Sequence, residues 1–133
     1  QILPGTPQKL FLMAGINDVS HDLSTDSVVS LITKVIEKIQ TESPRTKLYI
    51  QSLLPINESF GRYKTMTGKT DLIPEINRKL EALAKEKKIS FIHLFPLFTE
   101  KNSNVMRKEL TTDGLHLTEE GYRIWSKALK RYL

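Results

Sequence analysis

Three short apolar runs alternate along the chain with three stretches in which apolar residues recur at helical spacing. The runs are residues 9–14, 47–54 and 89–95. Each run is nearly unbroken over six to eight residues, which is typical of strands buried on both faces in a parallel sheet. We therefore predict three parallel strands separated by helices.

The helix between the first two runs has a broad apolar stripe. The stripe consists of Val28, Val29, Ile32, Val35, Ile36 and Ile39. Ser24 or Ser27 is expected to cap this helix, and Pro44 is expected to end it.

The two later helices show the same spacing. The second stripe consists of Ile73, Ile76, Leu80 and Leu83, and the third of Tyr122, Trp125, Leu129 and Tyr132. We expect Asp71 to cap the second helix, and Pro74 is tolerated there because it falls in the first turn. The third helix is expected to begin at Thr118, with acidic residues near its positive end.

The order βαβαβα predicts a three-layer α/β/α domain with a parallel sheet. A chain of 133 residues supports one hydrophobic core and is too short for two, so residues 1–133 are expected to form a single domain. Parallel strands place the loops that follow them at one edge of the sheet, where ligands bind. Here those loops are residues 15–23, 55–70 and 96–117.

Composition narrows the classes of partner and chemistry. The net charge is +5, but basic and acidic residues are interleaved, so we expect no nucleic acid partner. The absence of Cys excludes disulfides, thiolate zinc sites and a Cys nucleophile, and leaves the compartment open. No apolar run approaches the roughly 20 residues of a membrane-spanning helix, so no span is expected.

Two short polar clusters lie in these loops. Residues 15–18 read Gly-Ile-Asn-Asp directly after a strand, and this pattern is also typical of an ordinary turn. Residues 113–116 read Asp-Gly-Leu-His directly before the last helix. An Asp three residues ahead of a His can bring carboxylate to imidazole, although a polar loop with an incidental His would read the same way.

Taken together, the two clusters resemble the GDSL/SGNH hydrolase family of serine esterases. Residues 15–18 are similar to its Gly-x-Asn-Asp block, and Asp113 to His116, followed by LTEEGY, are similar to its Asp-x-x-His block. The resemblance implies an SGNH-type, flavodoxin-like sandwich, and no metal or organic cofactor.

The resemblance also implies roles for individual residues. Asn17 would donate a hydrogen bond in the oxyanion hole, with Gly15 and Asp18 supporting that loop. His116 would be the general base and Asp113 would orient it.

The chain departs from the family pattern at the nucleophile. The family's Gly-Asp-Ser block precedes the Asn block, but only fourteen residues precede Gly15 and none of them is Ser. Asp26-Ser27 lacks the Gly and is interpreted as part of a helix cap. We therefore expect the chain to be the carboxyl-terminal portion of a hydrolase whose first strands, about 50–70 residues, are missing.

Other polar residues give weaker signals. The segment 57–70 is long for such a loop, and long loops at a site edge often contact substrate, so Arg62 and Tyr63 are candidate substrate contacts. His21 and Asp22 are an incomplete metal-ligand set and are interpreted as plain loop residues. His93, within an apolar run, is expected to be a hydrogen-bonded structural residue.

The resemblance thus implies hydrolysis of a carboxylic ester, with a small acyl group such as acetate carried on a carbohydrate or lipid. The nucleophilic Ser would come from the absent region. The alternative is a non-catalytic α/β binding module that keeps the site loops without a nucleophile. A Gly-Asp-Ser block upstream of Gln1 would favour the enzyme. We also expect the upstream region, or a second copy of the chain, to cover the edge of the strand at residues 9–14, because an unpaired apolar edge promotes aggregation.

Overall fold

The computed structural model of the chain describes residues 8–13 and 24–133. These residues form three strands, β1 (Lys9–Leu12), β2 (Lys47–Gln51) and β3 (Ser90–Ile92). The α-helices within them are α1 (Thr25–Glu42), α2 (Leu72–Glu86) and α3 (Glu119–Leu129). Short 3₁₀ helices lie at Glu58–Phe60, Lys64–Met66, Phe95–Leu97, Lys108–Leu110 and Lys130–Tyr132. The alternation of strands and helices follows the order predicted from the apolar pattern.

The three described strands form a parallel sheet in the order β1-β2-β3. Leu10 lies opposite Leu48, and Tyr49 lies opposite Ser90. Side chains alternate between the two faces of β2, as the twofold repeat of a strand requires. Leu48 and Ile50 belong to one apolar cluster and Tyr49 to the other.

Helices cover both faces of this sheet. The buried stripes of α1 and α2 pack with Leu48 and Ile50 in the first cluster. On the opposite face, Ile124 and Trp125 of α3 pack against the second cluster, which includes Tyr49. The domain is therefore a three-layer α/β/α sandwich, which confirms the predicted fold class. None of the helices in the described part of the chain is long and apolar enough to cross a membrane.

β2 and β3 are shorter than their apolar runs, because side chains replace the sheet's hydrogen bonds at the ends of these strands. The Ser52 hydroxyl accepts from the backbone N–H groups of Leu94 and Phe95, at 2.9 and 3.0 Å. The Asn77 side chain then bonds both backbone groups of Leu53, accepting from its N–H at 2.7 Å and donating to its carbonyl at 3.1 Å. Ser52, Leu53, Leu94 and Phe95 are therefore buried beyond the ends of β2 and β3, with side chains supplying their hydrogen bonds.

Helix α1 begins as predicted, with one correction to its apolar stripe. Ser24 is the N-cap, and its hydroxyl accepts from the N–H of Ser27 at 3.1 Å. The helix ends at Glu42, shortly before Pro44. Val35 was expected in the buried stripe, but it is 41% exposed. It lies with Leu31 on a flank of the helix outside the buried face.

Two further expectations were wrong, one about the cap of α2 and one about the apolar face of α3. Asp71 occupies the N-cap position of α2, but its side chain makes no capping bond and instead accepts from the Asn104 amide at 3.0 Å. Thr118 does cap α3 through the N–H of Gly121, but Tyr122 is 52% exposed rather than buried. The start of α3 packs closely through Gly121, where an added Cβ would lie 2.8 Å from the Leu110 carbonyl oxygen.

Candidate active site

The loop before α3 folds back on itself through its own side chains. A bridge between Thr111 and Leu117 closes it. The Thr111 hydroxyl donates to the His116 carbonyl at 2.6 Å and accepts from the Gly114 N–H at 2.9 Å. Gly114 has a φ of +96°, a left-handed conformation that favours glycine. The chain can therefore reverse direction between Asp113 and His116.

This reversal brings the Asp113 carboxylate onto the imidazole of His116. Asp113 Oδ1 accepts from the backbone N–H groups of Leu115 and His116, at 2.9 and 2.8 Å. Asp113 Oδ2 lies 2.8 Å from His116 Nδ1. The carboxylate side chain is only 13% exposed, whereas the imidazole is 63% exposed. The structure thus brings together these two predicted site residues, with the ring largely open to a ligand.

The hydrogen-bond donors around Asp113 keep it ionised. Burial raises the pKa of this carboxyl, but bonds from the backbone and ring of His116, the Leu115 N–H and the Tyr63 hydroxyl outweigh it. As a result, the pKa of Asp113 lies well below its usual range. A carboxylate that is charged throughout the neutral range favours the tautomer of His116 with its proton on Nδ1, which leaves Nε2 free to accept a proton.

Tyr63 reaches the same pair from another part of the chain. Its hydroxyl donates to Asp113 Oδ2 at 2.9 Å and lies 3.3 Å from His116 Nδ1. The bond to Asp113, burial and the charge of that carboxylate raise the pKa of Tyr63. The sequence singled out Tyr63 as a substrate contact and gave no sign of this bond, which joins residues fifty positions apart.

The segment 57–70 is fastened to the site loop at its beginning. Asn57 is buried, its N–H donates to the Gly114 carbonyl at 2.8 Å, and its side-chain amide donates to the Met106 carbonyl at 2.9 Å. Sequence reasoning missed Asn57 because an Asn after a strand predicts a turn and does not reveal its distant partners.

The carboxylate of Glu58 ties the beginning of this segment to its end. It accepts from the Gly68 N–H at 2.8 Å, and from the Thr70 N–H at 3.1 Å and the Thr70 hydroxyl. The bonds from the Thr70 hydroxyl and the Gly68 N–H hold the pKa of Glu58 below its usual value. These contacts give the 57–70 segment a defined shape beside the Asp113–His116 pair.

A cleft of about 110 Å³ lies between this segment and residues Asp113 to Leu115 of the site loop. Arg62, Tyr63 and Met66 line one side of it, and Asp113 and Leu115 line the other. Arg62 is exposed at this cleft, so both candidate substrate contacts border the site. Their contact with a substrate stays a prediction.

Several sequence-predicted residues fall elsewhere. Gly15, Asn17 and Asp18 lie outside the described residues, as do His21 and Asp22. His93 lies just after β3 and is exposed, with its ring 5.8 Å from that of Phe91, so the expectation of a structural histidine within the strand was wrong. Within residues 8–13 and 24–133, no group of three or more His, Asp or Glu side chains could hold a metal ion.

The fold and site define a three-layer α/β/α domain that carries a carboxylate–imidazole pair in the loop after its third strand. The chain belongs to the GDSL-like lipase/acylhydrolase family, whose model matches residues 1–124. A comparison with curated proteins finds no match.

Solved structures agree with this assignment. A protein from Streptococcus pneumonia, provisionally described as a platelet activating factor, is 30% identical with a TM-score of 0.87, and the match covers 96% of this chain and 60% of that one. A GDSL-like lipase from Bacteroides thetaiotaomicron is 26% identical with a TM-score of 0.82, over 95% of this chain and 62% of the lipase. An acetyl xylan esterase shares the fold at 23% identity and a TM-score of 0.74, over 96% of this chain and 68% of the esterase. The chain thus spans about three fifths of the first two structures.

Proposed function

We propose that the protein to which this chain belongs hydrolyses a carboxylic ester, with His116 as the general base and Asp113 as its orienting carboxylate. The observation that carries this proposal is the 2.8 Å contact between Asp113 Oδ2 and His116 Nδ1, beside an imidazole that is 63% exposed. Membership of the GDSL-like lipase/acylhydrolase family supports the same class of reaction.

In the proposed reaction, His116 Nε2 takes the proton of a Ser hydroxyl as the Ser oxygen attacks the ester carbonyl carbon. The tetrahedral intermediate collapses, the bond to the leaving oxygen breaks, and His116 returns the proton to the leaving alcohol. Water then hydrolyses the acyl-Ser with the same base. Asp113 stabilises the imidazolium that forms in each step.

The other groups of the proposed site come from outside the described residues. The nucleophilic Ser would belong to a region upstream of Gln1, and Asn17 would donate its side-chain amide to the oxyanion. Gly15 and Asp18 would hold the loop that carries Asn17.

A small acyl group such as acetate, on a carbohydrate or a lipid, is the proposed substrate class. One protein with this fold is an acetyl xylan esterase. Comparing aryl acetate with a long-chain aryl ester, and then an acetylated xylooligosaccharide with an acetylated lipid, would separate these substrates.

The test is hydrolysis of a short-chain aryl ester by the full-length protein and two variants of the pair. Asp113→Asn should lower kcat by about 10⁴, because it removes the charge that orients and stabilises the imidazole. His116→Ala should remove the base altogether. His93→Ala is the matched control, since His93 is also exposed but lies beside Phe91 and outside the pair.

The pH profile gives a second check. Because the pKa of Asp113 lies well below its usual range, this carboxylate stays charged across the neutral range. A general base must be unprotonated to accept the Ser proton, so kcat/KM should rise with pH along an acid limb. A flat profile, or a folded His116→Ala protein with normal turnover, would contradict the proposed role.

A further inference from the structure

Among the described residues, four hydrogen bonds hold the carboxylate of Asp113, and they come from two sources. Asp113 Oδ1 accepts from its own loop, through the backbone N–H groups of Leu115 and His116. Asp113 Oδ2, the oxygen on His116 Nδ1, also accepts from the Tyr63 hydroxyl at 2.9 Å. Within the described part of the chain, Tyr63 supplies the bond that reaches this carboxylate from outside its own loop.

Hydrogen bonds hold the backbone at Tyr63, so the surrounding structure positions its hydroxyl. The Tyr63 carbonyl accepts from the N–H of Met66 at 3.0 Å, and Met66 is 4% exposed within the first apolar cluster. Asn57 and Glu58 secure the segment on either side, as described above. A bond from an anchored donor restricts the rotation of the carboxylate more than a bond from water would.

We propose, on the basis of the ester hydrolysis proposed above, that Tyr63 is a positioning residue, whose hydroxyl keeps Asp113 Oδ2 on His116 Nδ1 and thereby couples the 57–70 segment to the base. Tyr63 would act through Asp113 rather than by binding substrate. This assigns it a different role from the substrate contact that its place in a long loop predicted.

The hydroxyl also takes a share of the charge on Asp113 Oδ2. The charged and titratable groups that face this point from the described elements are Asp113, His116 and Tyr63, with Arg62 acting on Tyr63 through its charge. Without the hydroxyl, more of the carboxylate's charge is available to the Nδ1–H bond, which favours the protonated ring. The protonated ring should then persist to higher pH.

The test is Tyr63→Phe in the full-length protein, which removes the hydroxyl and keeps the ring. Tyr122→Phe is the matched control, because Tyr122 is 52% exposed on α3 beside Trp125. Two readouts are needed: kcat and KM for a short-chain aryl ester against pH, and the NMR titration of the His116 ring without substrate. The His116 resonance is identified by its loss in His116→Ala.

Tyr63→Phe should move the midpoint of the acid limb, and of the NMR titration, to higher pH. It should lower kcat about fivefold, the effect of one lost hydrogen bond of ordinary strength, and leave KM unchanged. Tyr122→Phe should change neither.

A higher KM with both midpoints unchanged would overturn the proposal and make Tyr63 a substrate contact. Unchanged kinetics and titration would overturn it as well. The two proposals fail separately. A shifted NMR midpoint in a protein that hydrolyses no ester would remove the proposed function and keep the positioning role. Ester turnover with an unshifted NMR midpoint would keep the proposed function and remove the positioning role.

Discussion

At the scale of single residues, the site depends on a close approach between Gly114 and Asn57. A Cβ added to Gly114 would overlap the Asn57 carbonyl oxygen, which is backbone and cannot move aside at low energetic cost. The same Asn57 donates its N–H to the Gly114 carbonyl. The glycine between Asp113 and His116 thus serves both the left-handed turn and the contact between two loops.

Gly114→Ala should therefore destabilise the protein by about 3 kcal/mol or more, since it adds a backbone clash to the strain of a left-handed alanine. It should also lower ester hydrolysis, because the clash displaces the loop that carries the Asp113–His116 pair. Urea unfolding and kcat/KM measure the two effects.

Gly61→Ala is the matched control for this substitution. Gly61 has a φ of +65°, but a Cβ there meets nothing within 4 Å. Gly61→Ala should lower the free energy of unfolding by about 1–2 kcal/mol, as expected for backbone strain alone. Equal losses at Gly61 and Gly114 would mean that the contact with Asn57 contributes nothing.

At the scale of elements, Asn77 joins α2 to the end of β2. Its side-chain amide satisfies both backbone groups of Leu53 where the strand has already ended, and Asn77 is 3% exposed. Buried backbone groups that lose their partners are expensive, because no water replaces the lost bonds.

Asn77→Ala should lower the free energy of unfolding by about 2–4 kcal/mol, as expected for two buried groups left without partners. Asn104→Ala is its control, since Asn104 is exposed and bonds Asp71 at the surface. That change should stay within about 0.5 kcal/mol. A loss at Asn77 no larger than the loss at Asn104 would show that the link to Leu53 adds no stability.

The positions of the strands and helices could be predicted from the sequence, because apolar periodicity records which face is buried. The local caps Ser24 and Thr118 could be predicted as well. The ends of β2 and β3 and the failure of Asp71 to cap α2 could not, because side chains distant in sequence decide them. Ser52 and Asn77 take over the hydrogen bonds of the strands, and the Asp71 carboxylate bonds Asn104 instead of capping α2. Nothing local to those residues indicates such partners.

In the candidate site, too, local contacts could be predicted from the sequence and contacts between distant residues could not. The pairing of Asp113 with His116 is local, so its spacing could be read from the sequence. The bonds made by Tyr63 and Asn57 join loops about fifty residues apart, and they follow only once the sheet has placed those loops together.

At the scale of the whole molecule, β1 forms one edge of the described sheet. Leu10, Phe11 and Leu12 are only half-buried there, although Phe11 stacks on Tyr49 with the ring centroids 4.6 Å apart. We propose that the upstream region of the protein, or a second copy, covers this edge, because exposed apolar strand edges pair with other chains.

The 133 residues alone should therefore self-associate in dilute buffer, while the full-length protein should not aggregate through this edge. Light scattering coupled to size-exclusion chromatography compares the two. A stable, monodisperse monomer of the 133 residues would refute this proposal.

The loops that follow β2 and β3 are joined to each other beyond the ends of those strands. Ile56 and Val105 form a parallel bridge, and the Met106 N–H donates to the Ile56 carbonyl at 3.0 Å. Together with the two bonds of Asn57, these contacts tie the two loops to each other. Grafting either loop alone from a relative would leave the other without its partners, so substrate preference should be transferable between family members only when both loops are exchanged together.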